Sequence, residues 1–116
     1  MMKAVFGIVL LVATNLMAAT QTVAFSGAEF LSTSEDFADG YAWGIAETRA
    51  NVAWSMDPAY LEEMRQVWEC MSRAGITSSI FGDAVRSTIR EEAALLTTPA
   101  SSAVLRTLSD MCPVVP

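Results

Sequence analysis

The stretch of sequence that decides the fold is SEDFADGYAWGIAETRANVAW, residues 34–54. Ser34 is a residue type that caps helix N-termini, and the two acids after it oppose the positive end of a helix dipole. The spacing therefore predicts a helix from about Glu35 to Trp54, with one buried face. The apolar positions of that face recur every three or four residues: Phe37, Tyr41, Ile45, Thr48 and Val52.

Small residues repeat every four positions within the same stretch, as Gly40, Gly44 and Thr48 and as four alanines at positions 38–50. Each glycine inside a helix costs about 1 kcal/mol relative to alanine, so a compensating contact is expected. We predict that a second helix packs closely against this helix around Gly40, Tyr41 and Gly44. The charged residues between them argue against a membrane helix.

Cap signals outside this stretch predict three further helices. Asp57-Pro58 is typical of a helix start and Gly75 of a helix end, which predicts a helix over 58–74. Thr77 begins the next helix, and Thr98-Pro99 opens the last one, over 99–111. A short helix within 27–33 precedes them all, after a loose leader over 20–26.

Apolar faces on these helices predict one compact bundle, because short connections bring consecutive helices together. The fold class is all-α, with four to five short helices. The predicted inward residues of the second helix are Tyr60, Met64, Val67, Trp68 and Met71. Those of the third and the last are Ile80, Ala84, Thr88 and Ile89, then Val104, Leu105 and Leu108.

Residues 1–19 have the order of a cleaved signal peptide: Lys3, then the apolar run Ala4–Ala13, then Ala18-Ala19. Cleavage after Ala24 is the alternative. The run is shorter than the roughly 20 apolar residues that span a bilayer, so no membrane span is expected after processing. The sequence thus predicts an exported, periplasmic protein whose residues 20–116 form a single domain.

Charge and composition disfavour several function classes. Removal of the leader takes away Lys3, the only lysine, and leaves six arginines against thirteen acids, a net charge of −7. Such a chain has no basic stripe for phosphates, so nucleic-acid binding is not expected. It has no histidine, and Glu62 and Glu63, adjacent on a helix, point in different directions. We therefore predict neither an enzyme nor a cofactor or metal site.

Cys70 and Cys112 are the only cysteines. An even count in an exported chain favours a disulfide over metal binding or a free thiol. The pair would close a long loop in a small domain and stabilise it by roughly 4 kcal/mol.

Three stretches, in order, resemble the Rap/Tai immunity family. Residues 37–44, FADGYAWG, resemble its Gly-Tyr-x-x-Gly helix, and Cys70 with Gly75-Ile76-Thr77 is similar to its Cys and Gly-Val-Thr helix start. Residues 99–112 resemble its closing Pro-Ala and Cys pattern. Cysteines that family members carry around the Gly-Tyr helix are absent, so the chain resembles a divergent member.

The resemblance implies a periplasmic protein that binds and occludes a peptidoglycan amidase effector delivered by type VI secretion. The expected contacts lie on the loop and helix between Trp54 and Trp68, at Trp54, Tyr60, Glu62 and Glu63. A homodimer is also possible. Two alternatives stay open: an acid-stress periplasmic chaperone of the HdeA type, whose carboxylates would neutralise together at low pH, and an exported helical scaffold without a toxin partner.

Overall fold

The computed structural model describes residues 25–51 and 57–116. The predicted signal peptide and the predicted contact residue Trp54 lie outside them. The described part is helical, which confirms the all-α prediction. Its elements are α1 Gly27–Ser32, α2 Glu35–Asn51, α3 Pro58–Arg73, α4 Ser78–Glu91, a 3₁₀ turn Ala93–Leu96 and α5 Ala100–Met111.

The predicted starts of α2, α3 and α4 are confirmed, because local side chains satisfy the free N–H groups there, whereas the predicted end of α2 at Trp54 lies outside the described residues. The Ser34 hydroxyl accepts the N–H of Phe37 at 3.3 Å, and the Asp57 carboxylate accepts the N–H two residues on at 3.0 Å. The Thr77 hydroxyl caps α4 at 3.2 Å. Gly75, with φ +63°, ends α3 in the left-handed conformation that favours glycine.

The buried face of α2 differs from the predicted one. Its core side is the alanine stripe Ala38, Ala42, Ala46 and Ala50. Of the predicted face, Phe37 is 56 % exposed, Tyr41 and Ile45 are half-buried, Thr48 is exposed, and Val52 lies outside the described residues. Methyl side chains let neighbouring backbones approach closely, whereas an aromatic face would hold them apart.

The predicted helix packing at Gly40 and Gly44 is wrong for the described residues. A β-carbon at either position would meet nothing within 4 Å. The close approach uses Gly82 of α4 instead, where a β-carbon would lie 3.2 Å from the Asp39 Cα. Gly27 has the same role in α1, since a β-carbon there would meet the Leu95 carbonyl oxygen at 2.0 Å.

The end of the predicted loose leader, residues 25 and 26, belongs to the folded domain. The Phe25 ring lies 4.8 Å from the Tyr41 ring, centroid to centroid, in an edge-on arrangement. Ser26 caps α1 in a capping box with Glu29. This part of the leader prediction is therefore wrong, because the contacts that order these residues come from distant parts of the chain.

The same segment replaces the cap predicted for α5 at Thr98. The Thr98 hydroxyl donates to the Leu95 carbonyl instead, and no side chain caps the helix. The N–H of Ala100 donates to the Phe25 carbonyl at 2.8 Å, beside a backbone bridge between Ser26 and Pro99. Backbone from residues 25–26 thus satisfies the start of α5.

The predicted disulfide is confirmed. Cys70, in the last turns of α3, is bonded to Cys112, just after α5, with a Cα–Cα distance of 5.6 Å. Trp68, predicted as core, is 49 % exposed, and Ile80 and Leu105 are also exposed rather than inward. Smaller side chains, including Val67, Met71, Val85 and Val104, fill those core positions.

Candidate protein-binding faces

Tyr60 and Glu63, two of the predicted contact residues, bind Arg49 of α2. The Arg49 guanidinium lies over the Tyr60 ring at 5.2 Å from its centroid, and its Nη2 donates to the Glu63 carboxylate at 3.1 Å. Because Tyr60 and Glu63 are one helical turn apart, they face the same way. They attach the start of α3 to the end of α2.

Glu62 faces away from that junction, as expected for a neighbour in a helix. Its carboxylate accepts hydrogen bonds from Arg65 Nε at 2.8 Å and from Gln66 Nε2 at 3.4 Å. These bonds, chiefly that from Arg65, lower the pKa of Glu62. The same carboxylate and that of Glu69 raise the pKa of Arg65. The structure therefore does not bring Glu62 and Glu63 together.

Gly40, Tyr41 and Gly44 line an open groove on the outer face of α2. Its volume is about 470 Å³, which lies within the range of ligand-binding clefts. The remaining lining residues are Ile45, Thr48, Arg49, Tyr60 and Leu105. Leu105, on α5, is 46 % exposed, although it is a large apolar side chain. Gly40 and Gly44 have no side chains to fill this space, and we call it the glycine groove.

A second groove of about 400 Å³ adjoins the glycine groove, because Arg49 and Leu105 line both. It extends past Leu108 and Cys112 to the C-terminal residues Pro113 and Val114. The C-terminal segment is held in place by Gln66, whose side chain both donates to and accepts from the backbone of Val115, at 3.0 and 2.8 Å. The two grooves therefore form one continuous depression from α2 to the C-terminal segment.

A third surface feature surrounds two tryptophans. Trp43 of α2 and Trp68 of α3 line a pocket of about 90 Å³ with Met71, Ser72 and Ile76. The apolar stripe of α3 predicts Trp68 to be a core residue, but its side chain is half exposed. Its spacing of seven residues from Leu61, which is also exposed, was the signal that a second stripe exists.

Arg86 forms a buried ion cluster under the α2–α4 contact. Its side chain is 7 % exposed, and its Nη2 donates to the Asp39 carboxylate at 2.9 Å and to that of Asp83. Burial lowers the pKa of Arg86, but the hydrogen bonds to Asp83 and Asp39 outweigh it and raise the pKa above its usual value. Nothing in the sequence pattern indicated this pairing, since Asp39 and Arg86 are far apart in the chain.

These features are open grooves, exposed apolar side chains and ion pairs. Within residues 25–51 and 57–116, no three Cys, Asp or Glu residues gather as metal ligands. None of the helices described there is both long enough and apolar enough to cross a bilayer. Comparisons of the chain with models of protein families, with curated proteins and with solved structures find no match.

Proposed function

We propose that this chain is an exported immunity-type protein that binds a peptidoglycan amidase effector of type VI secretion and occludes its cleft. The observation that supports the proposal most is the position of Gly40, Tyr41 and Gly44. These residues carry the resemblance to the Rap/Tai family, and they line the open glycine groove instead of a helix–helix contact. A binding role explains two glycines that folding does not require.

The shape of the groove suits an apolar loop or side chain from the rim of an enzyme cleft. Glycine costs helix stability, and here it leaves room above α2 that a larger residue would fill. Exposed Leu105 adds apolar area to its lining. A net charge of −7 after processing speeds the encounter with a basic cleft.

This placement revises the predicted contacts. Tyr60 remains at the groove, since it lines one end. Glu63 is engaged by Arg49, and Glu62 belongs to the ion-pair network along α3. We therefore place the binding energy on Tyr41 and Leu105, with the acidic residues contributing mainly to the rate of association.

The test is inhibition of purified amidase effectors of this class on isolated peptidoglycan, using residues 20–116 with the disulfide formed. One equivalent of the chain is expected to stop hydrolysis, and Leu105→Ser is expected to weaken inhibition by at least about tenfold. Ile80→Ser is the matched control, because Ile80 is similarly exposed but lies on α4, away from the groove. If inhibition weakens equally in both variants, the glycine groove is not the binding site.

The buried ion cluster favours a second candidate, the acid-stress chaperone. Arg86 is buried and depends on the carboxylates of Asp39 and Asp83 for its counter-charge, so a loss of these negative charges would favour opening of the fold at this cluster. Circular dichroism from pH 7 to pH 2, with a client-aggregation assay, separates the two functions. A chaperone would open and protect clients at low pH, whereas an immunity-type protein would show no protection. If the chain neither inhibits an amidase nor protects clients at low pH, the exported helical scaffold is the remaining hypothesis.

A further inference from the structure

We propose that Trp43 and Trp68 form a separate binding site, which holds one lysine or arginine side chain of a protein partner. The pocket between them is lined by Met71, Ser72 and Ile76 as well. Its lining includes no charged residue, so recognition rests on the two indole rings and on the charges around the rim.

The two tryptophans of this pocket differ in their packing: Trp43 contacts the core, whereas Trp68 is half exposed. The Trp43 ring packs edge-on against the buried Phe81 ring, with centroids 6.3 Å apart and an angle of 67°. Trp68 is 49 % exposed, although smaller residues fill the core beside it. A tryptophan that folding leaves half in water is the residue type most enriched among the anchors of protein interfaces.

The size of the pocket indicates a single side chain. Its volume is about 90 Å³. Clefts for small molecules are roughly 300–1,000 Å³, so the pocket is too small for a free metabolite of that kind. A side chain presented by a partner's surface would fit.

The charges around the pocket favour a cation. Asp36 and Glu47 lie seven residues before and four after Trp43, which places them on the same side of α2. Arg49, the only basic residue of α2, turns toward Tyr60 instead. On α3, Arg65 and Arg73 flank Trp68 and pair with Glu62 and Glu69, so the acidic excess comes from Asp36 and Glu47 on α2.

Tryptophan is also the best aromatic partner for a cation. A lysine or arginine can lay its aliphatic stem along both rings and leave its charged end among the carboxylates. The site lies apart from the glycine groove, since the two share no lining residue. The inference therefore does not depend on the partner being an amidase.

The experiment follows the indole N–H signals of Trp43 and Trp68 by NMR, assigned from Trp43→Phe and Trp68→Phe. The probes are acetyl-Gly-Gly-X-Gly-Gly-amide peptides in which X is arginine, lysine, norleucine or glutamate. Arginine and lysine are expected to shift both signals, with affinity about three- to fivefold above norleucine, the uncharged isostere of lysine. Glutamate is expected to shift neither.

Two variants locate the effect. Trp68→Ala is expected to abolish the shift of the Trp43 signal, and because Trp68 is exposed the fold should survive. Ile80→Ala, an equally exposed residue outside the pocket, is expected to leave the shift unchanged. Equal affinity for norleucine and lysine, or shifts that persist in Trp68→Ala, would overturn the proposal. So would unshifted indole signals with both basic peptides.

Discussion

Asp39 and Gly82 are in such close contact that a β-carbon on residue 82 would lie 1.7 Å from the Asp39 Oδ1. The contact joins α2 to α4, the two helices that pack together most extensively. It also holds the Asp39 carboxylate against Arg86. The point where α2 crosses α4 therefore requires a glycine at position 82, and it also contains the buried ion pair of Asp39 and Arg86.

Gly82→Ala is expected to destabilise the protein by about 1–3 kcal/mol, because the added methyl group forces apart a packed contact. The gain in helix propensity of about 1 kcal/mol is too small to offset this. Urea unfolding followed by circular dichroism measures the change.

Gly44→Ala is the matched control for that variant, since it has the same substitution in a helix interior but open space around it. It is expected to leave stability unchanged or to raise it by up to about 1 kcal/mol. A Gly82→Ala protein as stable as Gly44→Ala would contradict the close contact.

Asp39→Ala is expected to cost about 2–4 kcal/mol, because it removes a partner from a buried arginine. Asp83→Ala removes the other partner, but the Asp83 side chain is 70 % exposed, so a loss of about 0–1 kcal/mol is expected. Thermal or urea unfolding of the two variants under the same conditions tests the difference. Equal losses would show that burial does not strengthen the Asp39 pair.

Glu62→Gln is expected to lower stability at neutral pH and to have progressively less effect in acid. The pKa of Glu62 in the folded protein is below its usual 4.5, so the ionised carboxylate stabilises the fold above that pH. This contribution disappears as the pH falls through the lowered pKa. Melting temperatures of both proteins from pH 7 to pH 3 should converge, and divergence in acid would refute the assignment.

Reduction of Cys70–Cys112, or the double substitution to serine, is expected to cost about 4 kcal/mol for a loop of 42 residues. The bond also keeps the end of α5 beside α3 and positions the second groove. Denaturant unfolding with and without reductant measures the loss, and titration of thiols confirms the redox state. Unchanged stability after reduction would show that helix packing alone holds this end.

Local signals were sufficient to predict much of the fold. The caps at Asp57 and Thr77 and the left-handed Gly75 depend on residues close in sequence, so their pattern is visible in the chain itself. The disulfide was predictable because only two cysteines are present.

The buried face of α2 could not be chosen in the same way. Its alanine stripe and its aromatic stripe have the same four-residue repeat, and only packing against α4 and α5 decides between them. The role of Phe25 and the Asp39–Gly82 contact also depend on residues far apart in the chain. The sequence shows that Gly40 and Gly44 are unusual, because they lie inside a helix. Only the structure shows that the space around them is open.

The most direct test of a binding role for the glycine groove is Gly44→Leu, measured for both unfolding free energy and amidase inhibition. A β-carbon at residue 44 has open space around it, and the rest of the leucine side chain would occupy the groove that Tyr41 and Leu105 also line. We expect stability to stay the same or to rise by up to about 1 kcal/mol, while inhibition weakens at least about tenfold. Full inhibition by a stably folded Gly44→Leu protein would contradict the account.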